Sequence, residues 1–395
     1  KTVLLPCDDP EWSNFTKFFA QNFEYFGLKK LISTSYAIES KKYKTDWQPT
    51  LFETENPLYN ADKSRVKGKI FTLERTWDAD GSSAREPQAS RLRPRIDIND
   101  LEWHYLEGDG DFRSAEVTAL RDEADIIITN PPFSLFREFL AWILAGTQPS
   151  SVAAGKTALE DECVPAKQFL IIGNQNAITY KEVFPLIKEN KMWLGKGFTG
   201  GATHFYSAYQ DYATASDHKE GMIRVSGVVW FTNLDHGRRH QPLQLMTMAD
   251  NIKFSRHKEI KGIGYQHYDN YDAIEVPYTD AIPSDYDGVM GVPISFLDKY
   301  NPEQFEIVEF RKGNDGKDLI YSALGGGRFS LTSEYSSVDA DRWFNEQSER
   351  YGSEWAEQVR KDSYSKTAIP GMIKNTEGKI NGKITYARIL IRWKR

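Results

Sequence analysis

Short apolar, β-branched runs alternate with stretches of helical period up to about residue 235, after which the rhythm fades. The runs Thr2–Leu5, Lys30–Tyr36, Trp103–Glu107, Asp125–Thr129, Gln168–Gly173 and Val228–Asn233 predict strands. Phe15, Phe18, Phe19, Phe23 and Phe26 recur at helical spacing and end at Gly27, which reads as core packing rather than a cofactor box. Further helices are predicted over 117–123, Ser134–Leu144 and Tyr180–Asn190. This alternation predicts an α/β fold with a doubly wound, mostly parallel sheet over residues 1–235. Residues 77–95 and 146–166 are polar and rich in small residues, and read as insertions. From 236 to 395 the chain is aromatic, punctuated by Gly and Pro and locally basic, which predicts a second module.

The most telling stretch is Ala124-Asp125-Ile126-Ile127-Ile128-Thr129-Asn130-Pro131-Pro132-Phe133. A buried parallel strand here delivers a polar loop at its carboxyl end, where open α/β sheets bind ligands. Two prolines fix φ and remove amide donors, so the loop is stiff and rich in acceptors. Asn130 offers a side-chain carbonyl, Pro131 a backbone carbonyl and Phe133 a ring face. Such a loop suits a planar amine, whose lone pair is delocalised: acceptors held on its hydrogens favour rehybridisation as a new bond forms. Asn-Pro-Pro-Phe resembles the catalytic loop of methyltransferases that act on planar amino groups. A proline-terminated strand and an ordinary turn are the alternative.

Composition narrows the class. The chain has 395 residues and a net charge of −6, so nucleic-acid binding requires local positive patches. Candidates are Arg91-Leu92-Arg93-Pro94-Arg95, His236-Gly237-Arg238-Arg239-His240, Lys253 to Lys261 with Arg256, and the tail Arg388–Arg395. Cys7 and Cys163 form neither a disulfide framework nor a zinc spacing, and the histidines lack metal-ligand spacing, so no metal is expected and a reducing cytoplasm fits. The apolar window Ile126–Leu144 is broken by Asn130, Arg137 and Glu138, which argues against a membrane span. The chain begins at Lys1 with a strand close behind, so sequence before Lys1 is expected.

Two other loops on the predicted sheet edge carry chemistry. Asp8 and Asp9 follow the first strand and suit an ammonium group, unless they only cap the helix that follows. Asp109, Asp111 and Phe112 follow the Trp103–Glu107 strand and suit an adenine ring, unless they only form a turn. A glycine-rich phosphate loop after the first strand is missing, which argues against dinucleotides and nucleoside triphosphates.

Several stretches together resemble the EcoRI-type adenine-specific DNA methyltransferases. They are Cys7–Pro10 with Ser13–Phe15, Gly27–Ile32, Gly108–Ser114, Thr129–Phe136, Ile178–Phe184, Tyr268–Ile274 and Asp287–Lys312. The resemblance implies a class I S-adenosylmethionine-dependent methyltransferase domain and a C-terminal DNA-recognition module. It implies methyl transfer to the amino nitrogen of an adenine flipped out of duplex DNA. Cofactor contacts carry over to Asp8, Asp9, Asp109, Asp111, Phe112 and Asn130, and catalytic roles to Asn130, Pro131 and Phe133. An acid for the ribose is not evident after the second strand, where Ser35 and Tyr36 stand, so Tyr36 takes that place. Arg238, Arg239, Lys253 and Arg256 are the expected DNA contacts. The family's Phe-x-Thr cofactor motif would precede Lys1. Residues 77–95, 146–166 and about 321–380 stand as insertions relative to the family. The expected species is a bacterial or phage-encoded cytoplasmic monomer acting on double-stranded DNA, with a cognate restriction endonuclease as functional counterpart, not stable partner. A catalytically inactive DNA-binding protein of the same fold and a protein glutamine methyltransferase are the competing readings; the latter's glycine-rich first loop is missing.

Overall fold

The computed structural model describes residues 1–11, 13–37, 59–75, 103–146, 167–195, 203–206, 222–225, 227–269, 272–311, 321–324, 328–331, 379–381, 383–385 and 387–394. The predicted insertion 77–95, the Arg91–Arg95 cluster and nearly all of 146–166 and 321–380 lie outside them.

The described residues form two units, one of residues 1–177 and 192–234, the other of 178–191 and 235–395. The first is built on an eight-stranded sheet. Its strands in chain order are β1 (Thr2–Leu5), β2 (Lys30–Thr34), β3 (Lys69–Glu74), β4 (Trp103–Tyr105), β5 (Ile126–Thr129), β6 (Gln168–Asn174), β7 (Trp193–Leu194) and, after the separate hairpin β8 (Thr203–Tyr206) and β9 (Met222–Val225), β10 (Val228–Thr232). They lie side by side in the order β4-β3-β2-β1-β5-β6-β10-β7. β1 pairs in parallel with β2 and β5, and β5 with β6. β3 and β10 are antiparallel to both of their neighbours. The sheet is therefore mixed. β2, β4, β1, β5 and β6 all point the same way, so their carboxyl ends share one edge.

Strand sequence explains burial. Val3, Leu4, Leu5, Leu31, Ile32 and Ile127 are all buried, as an apolar run between two covered faces requires. Each such side chain contributes roughly 1.5–3 kcal/mol on leaving water. Around them pack helices α1 (Asn14–Gln21), α2 (Ala61–Val66), α3 (Ala115–Glu123) and α4 (Phe136–Leu144). α1 starts where the Ser13 hydroxyl accepts from the amides of Phe15 and Thr16.

The aromatic stripe divides. Phe23 is core, Phe15 and Phe19 pack at its margin, and Phe18 and Phe26 are exposed, in tilted contact with one another at 5.8 Å. α1 ends at Gln21, so Phe23 and Phe26 fall in turns and do not extend a helical face. Gly27 adopts a φ of +59° as the chain turns back towards β2.

The second unit holds α5 (Phe184–Lys188) and α6 (Met248–Phe254) beside a four-stranded sheet. Its strands are β11 (Ala273–Glu275), β12 (Val289–Pro293), β13 (Phe305–Arg311) and, beyond the hairpins β14–β15 (Tyr321–Leu324, Arg328–Leu331) and β16–β17 (Lys379–Ile380, Lys383–Ile384), β18 (Arg388–Trp393). The basic tail is thus a central strand between β12 and β13, with Ile389 and Ile391 buried. Arg388 is nearly buried and paired with Glu275 at 2.5 Å. Among the described residues, no helix is long and apolar enough to cross a membrane.

Candidate active site

Connections leave β1 and β5 in opposite senses: β2 lies on one side of this central pair and β6 on the other. Such a switch point opens a crevice at the carboxyl ends of the strands. The loops after β1 and β5 meet there. The two strands pair at Val3–Ile126 and Leu4–Ile127. Beyond it, side chains close the gap. Thr129 Oγ1 donates to Asp8 Oδ2 at 2.5 Å and accepts from the Cys7 amide at 3.3 Å.

Asp8 is buried and its carboxylate accepts three hydrogen bonds. Ser13 Oγ donates to Oδ1 at 2.7 Å, and the Asn130 amide also donates to this carboxylate. Burial pushes the Asp8 carboxyl up to about 6, a rise that the neighbouring Asp9 charge adds to and the three hydrogen bonds oppose. Asp9 is half-buried and has one oxygen engaged locally, by the Glu11 amide at 2.9 Å.

The loops after β2 and β4 join the same edge. The Ala37 amide donates to the Asp109 carbonyl at 2.7 Å, and the Ser35 amide to the Lys69 carbonyl at 2.9 Å. Gly68 and Gly110 let these loops touch: a Cβ on Gly68 would lie 2.4 Å from the Ser35 carbonyl oxygen. Tyr36 is half-buried at the tip of β2, and Asp109 is exposed.

Asp111 and Phe112 face other work. Both carboxylate oxygens of Asp111 take bonds from Arg113, at 3.0 and 2.8 Å, which holds this carboxyl below its usual range. Phe112 is buried edge-on against Phe139 (5.0 Å) and Trp142 (5.6 Å) of α4.

In the Asn-Pro-Pro-Phe loop, Asn130 and Pro132 are exposed, Pro131 is buried and Phe133 is half-buried. A single 3-10 turn, Phe133–Leu135, leads into α4, closed by the Leu135 amide on the Pro132 carbonyl at 2.9 Å. The sequence brings Asp8, Asp9, Tyr36, Asp109, Asp111, Phe112, Asn130, Pro131 and Phe133 to the loops of one edge. It gave no hint of Thr129 and Ser13 as hydrogen-bond partners of Asp8, although Ser13 stands where an N-cap is expected.

The chain matches the family model described as adenine-specific methyltransferase EcoRI over residues 1–159 and 162–394. It belongs to that family. It is 39% identical to the type II methyltransferase M.EcoRI of Escherichia coli over 324 residues, 81% of each protein. It is 30% identical to the type II methyltransferase M.MpnI of Mycoplasma pneumoniae, over 78% of this chain and 75% of that one. No solved structure matches. As a member of this family, the chain is an adenine-specific methyltransferase.

The expected DNA contacts all lie in the second unit. Arg238 pairs with Asp298 at 2.5 Å, and Arg239 is buried, donating to Asn190 Oδ1 at 2.8 Å. Nearby, His240 bridges Asp235 and Glu303 at 2.8 Å each, which raises its affinity for a proton. The adjacent Asp235 and the distant Asp298 and Glu303 thus offset this basic loop. Lys253 is exposed with its Nζ 4.9 Å from the Phe254 ring centre, and Arg256 is exposed while reaching Asp280 at 2.7 Å.

Proposed function

We propose that this chain moves a methyl group from S-adenosylmethionine to the exocyclic amino nitrogen of an adenine flipped out of duplex DNA, at a specific sequence. On this reading residues 1–235 form a class I methyltransferase domain and residues 236–395 a DNA-recognition module. The observation that carries the reading is the convergence of the loops after β1, β4 and β5 on one edge, at the switch point between β1 and β5.

The edge suits the donor's chemistry: a cationic, purine-bearing molecule meets the carboxylates of Asp9 and exposed Asp109, with half-buried Tyr36 in the loop after β2. When bound, the donor supplies an electrophilic methyl group. Asp9, Tyr36 and Asp109 hold it, while Asp8, Asp111 and Phe112 brace the loops from behind. Asn130 accepts one amine hydrogen through its side-chain carbonyl, and the Pro131 backbone carbonyl accepts the other. Both acceptors then disperse the positive charge that builds on the nitrogen as it takes the methyl group, and the methylated nitrogen gives up one proton to solvent. Phe133 stacks on the extruded base, which offsets part of the cost of leaving the duplex. Lys253 and Arg256 contact phosphates. The protein works as a cytoplasmic monomer and protects DNA from a cognate endonuclease.

Incubating the protein with tritium-labelled donor and mixed-sequence duplex DNA, then sequencing for modified adenines, tests this reading. Label at adenines within one short motif is expected. Label on protein, or none, would refute it.

A further inference from the structure

We infer that Asp8 acts as a positioning residue: through Thr129 and the Asn130 amide it latches the catalytic loop to the loop after β1. This rests on the methyl-transfer reading of the same edge, and it gives Asp8 a task other than holding the donor's ammonium.

Three observations carry it. First, the β1–β5 ladder pairs Val3 with Ile126 and Leu4 with Ile127, and past it side-chain bonds join the two tips. Second, the Thr129 hydroxyl links both tips, accepting from Cys7 and donating to Asp8, while the Asn130 amide donates to the same carboxylate. The residue that fixes Asn130 is therefore on the other strand's loop. Third, Asp8 is itself fixed on its far side. Ser13 Oγ holds Oδ1, and Ser33 of β2 donates from its hydroxyl to the Asp8 carbonyl at 2.5 Å. Thr16 of α1 lies 2.7 Å from that same Ser33 hydroxyl. A chain of short contacts thus runs from α1 and β2 through Asp8 to the amide of Asn130.

A carboxylate that accepts from three donors and is 5% exposed has little left for a ligand. Its neighbour Asp9 is half-buried. The geometry thus divides the acidic pair between bracing the loop and facing the donor.

The test uses Thr129→Val, Thr129→Ser and Asp8→Asn in the full chain. Three readouts are compared: donor affinity by calorimetry, single-turnover methyl transfer at saturating donor and DNA, and hydrogen exchange of the 126–133 segment. Thr129→Val should slow transfer roughly tenfold or more while donor Kd stays within about twofold, a loss confined to the bound state. Thr129→Ser keeps the hydroxyl and should restore the rate. Asp8→Asn should speed exchange at 126–133 and slow transfer, again with donor Kd held. The exchange readout needs no catalysis, so it judges the latch even if the wild type labels no DNA, a result that would sink only the methyl-transfer reading. The latch is overturned if Asp8→Asn weakens donor binding about tenfold with an unchanged bound rate. It is equally overturned if Thr129→Val and Asp8→Asn leave exchange as in the wild type.

Discussion

The Ala37 amide donates to the Asp109 carbonyl at 2.7 Å, which welds the loop after β2 to the loop after β4. Tyr36 and Asp109, both assigned to the donor, therefore sit on one braced surface. Gly110 makes the weld possible. It has a φ of +78°, and a Cβ there would lie 2.1 Å from the Ser35 carbonyl oxygen. Gly110→Ala should cost about 2–4 kcal/mol through strain and clash. It should also weaken donor binding, read by calorimetry at a temperature where the variant is folded. Unchanged stability and affinity would show that these loops need not touch.

Phe133 is half-buried, with its ring at the entrance to α4. Phe133→Ala should raise KM for DNA by roughly tenfold, since base–aromatic stacking is worth about 1–3 kcal/mol. Donor affinity should stay as it was. Equal loss of both would contradict the stacking role.

Burial, not pairing, dominates at Asp8, and this has a sign that stability measurements can read. The carboxyl titrates at about 6 in the folded chain against an ordinary 3.8. The folded state therefore holds a proton that the unfolded chain has lost between these values, so stability falls as pH rises through that window and levels off above it. The loss is on the order of 3 kcal/mol. Asp8→Asn lacks this titration. Urea unfolding of both proteins should show the variant gaining on the wild type from about pH 4 to pH 6. A constant difference across that range would contradict it.

The four arginines and lysines assigned to DNA are not equivalent. Lys253 and Arg256 are exposed, whereas Arg239 is buried on Asn190. Lys253→Gln and Arg256→Gln should each reduce the slope of log affinity against log salt by about 0.9. Arg239→Gln should instead destabilise the protein, by about 1–3 kcal/mol, through the loss of its bond to Asn190. Salt titrations of DNA binding, alongside melting curves, separate the two outcomes.

Residues that act through their own backbone or local pattern were legible in the sequence. Ile126–Thr129 declared a buried strand by composition, and Pro131 and Pro132 declared a stiff turn wherever they might stand. β3 escaped notice because Lys69–Glu74 alternates only weakly and takes its place by pairing antiparallel to β2 and β4, both distant in sequence. β7 is two residues long, too short for any period to show. The helix expected over Tyr180–Asn190 is confined to Phe184–Lys188, because Pro185 fits only within a first turn. At the site, side-chain type was readable but occupation was not. Nothing in Asp8-Asp9 tells that one carboxylate is taken up by Thr129, 121 residues away, or in Asp111-Phe112 that Arg113 and α4 claim both.

Asn130, held at the switch point, is the residue proposed to perform the chemistry on the amine. Single-turnover transfer by Asn130→Ala, at saturating donor and DNA, tests this role most directly. The rate should fall by roughly 100-fold to 1,000-fold with donor Kd unchanged, as expected when a transition-state acceptor is removed. Transfer at the wild-type rate would contradict the account.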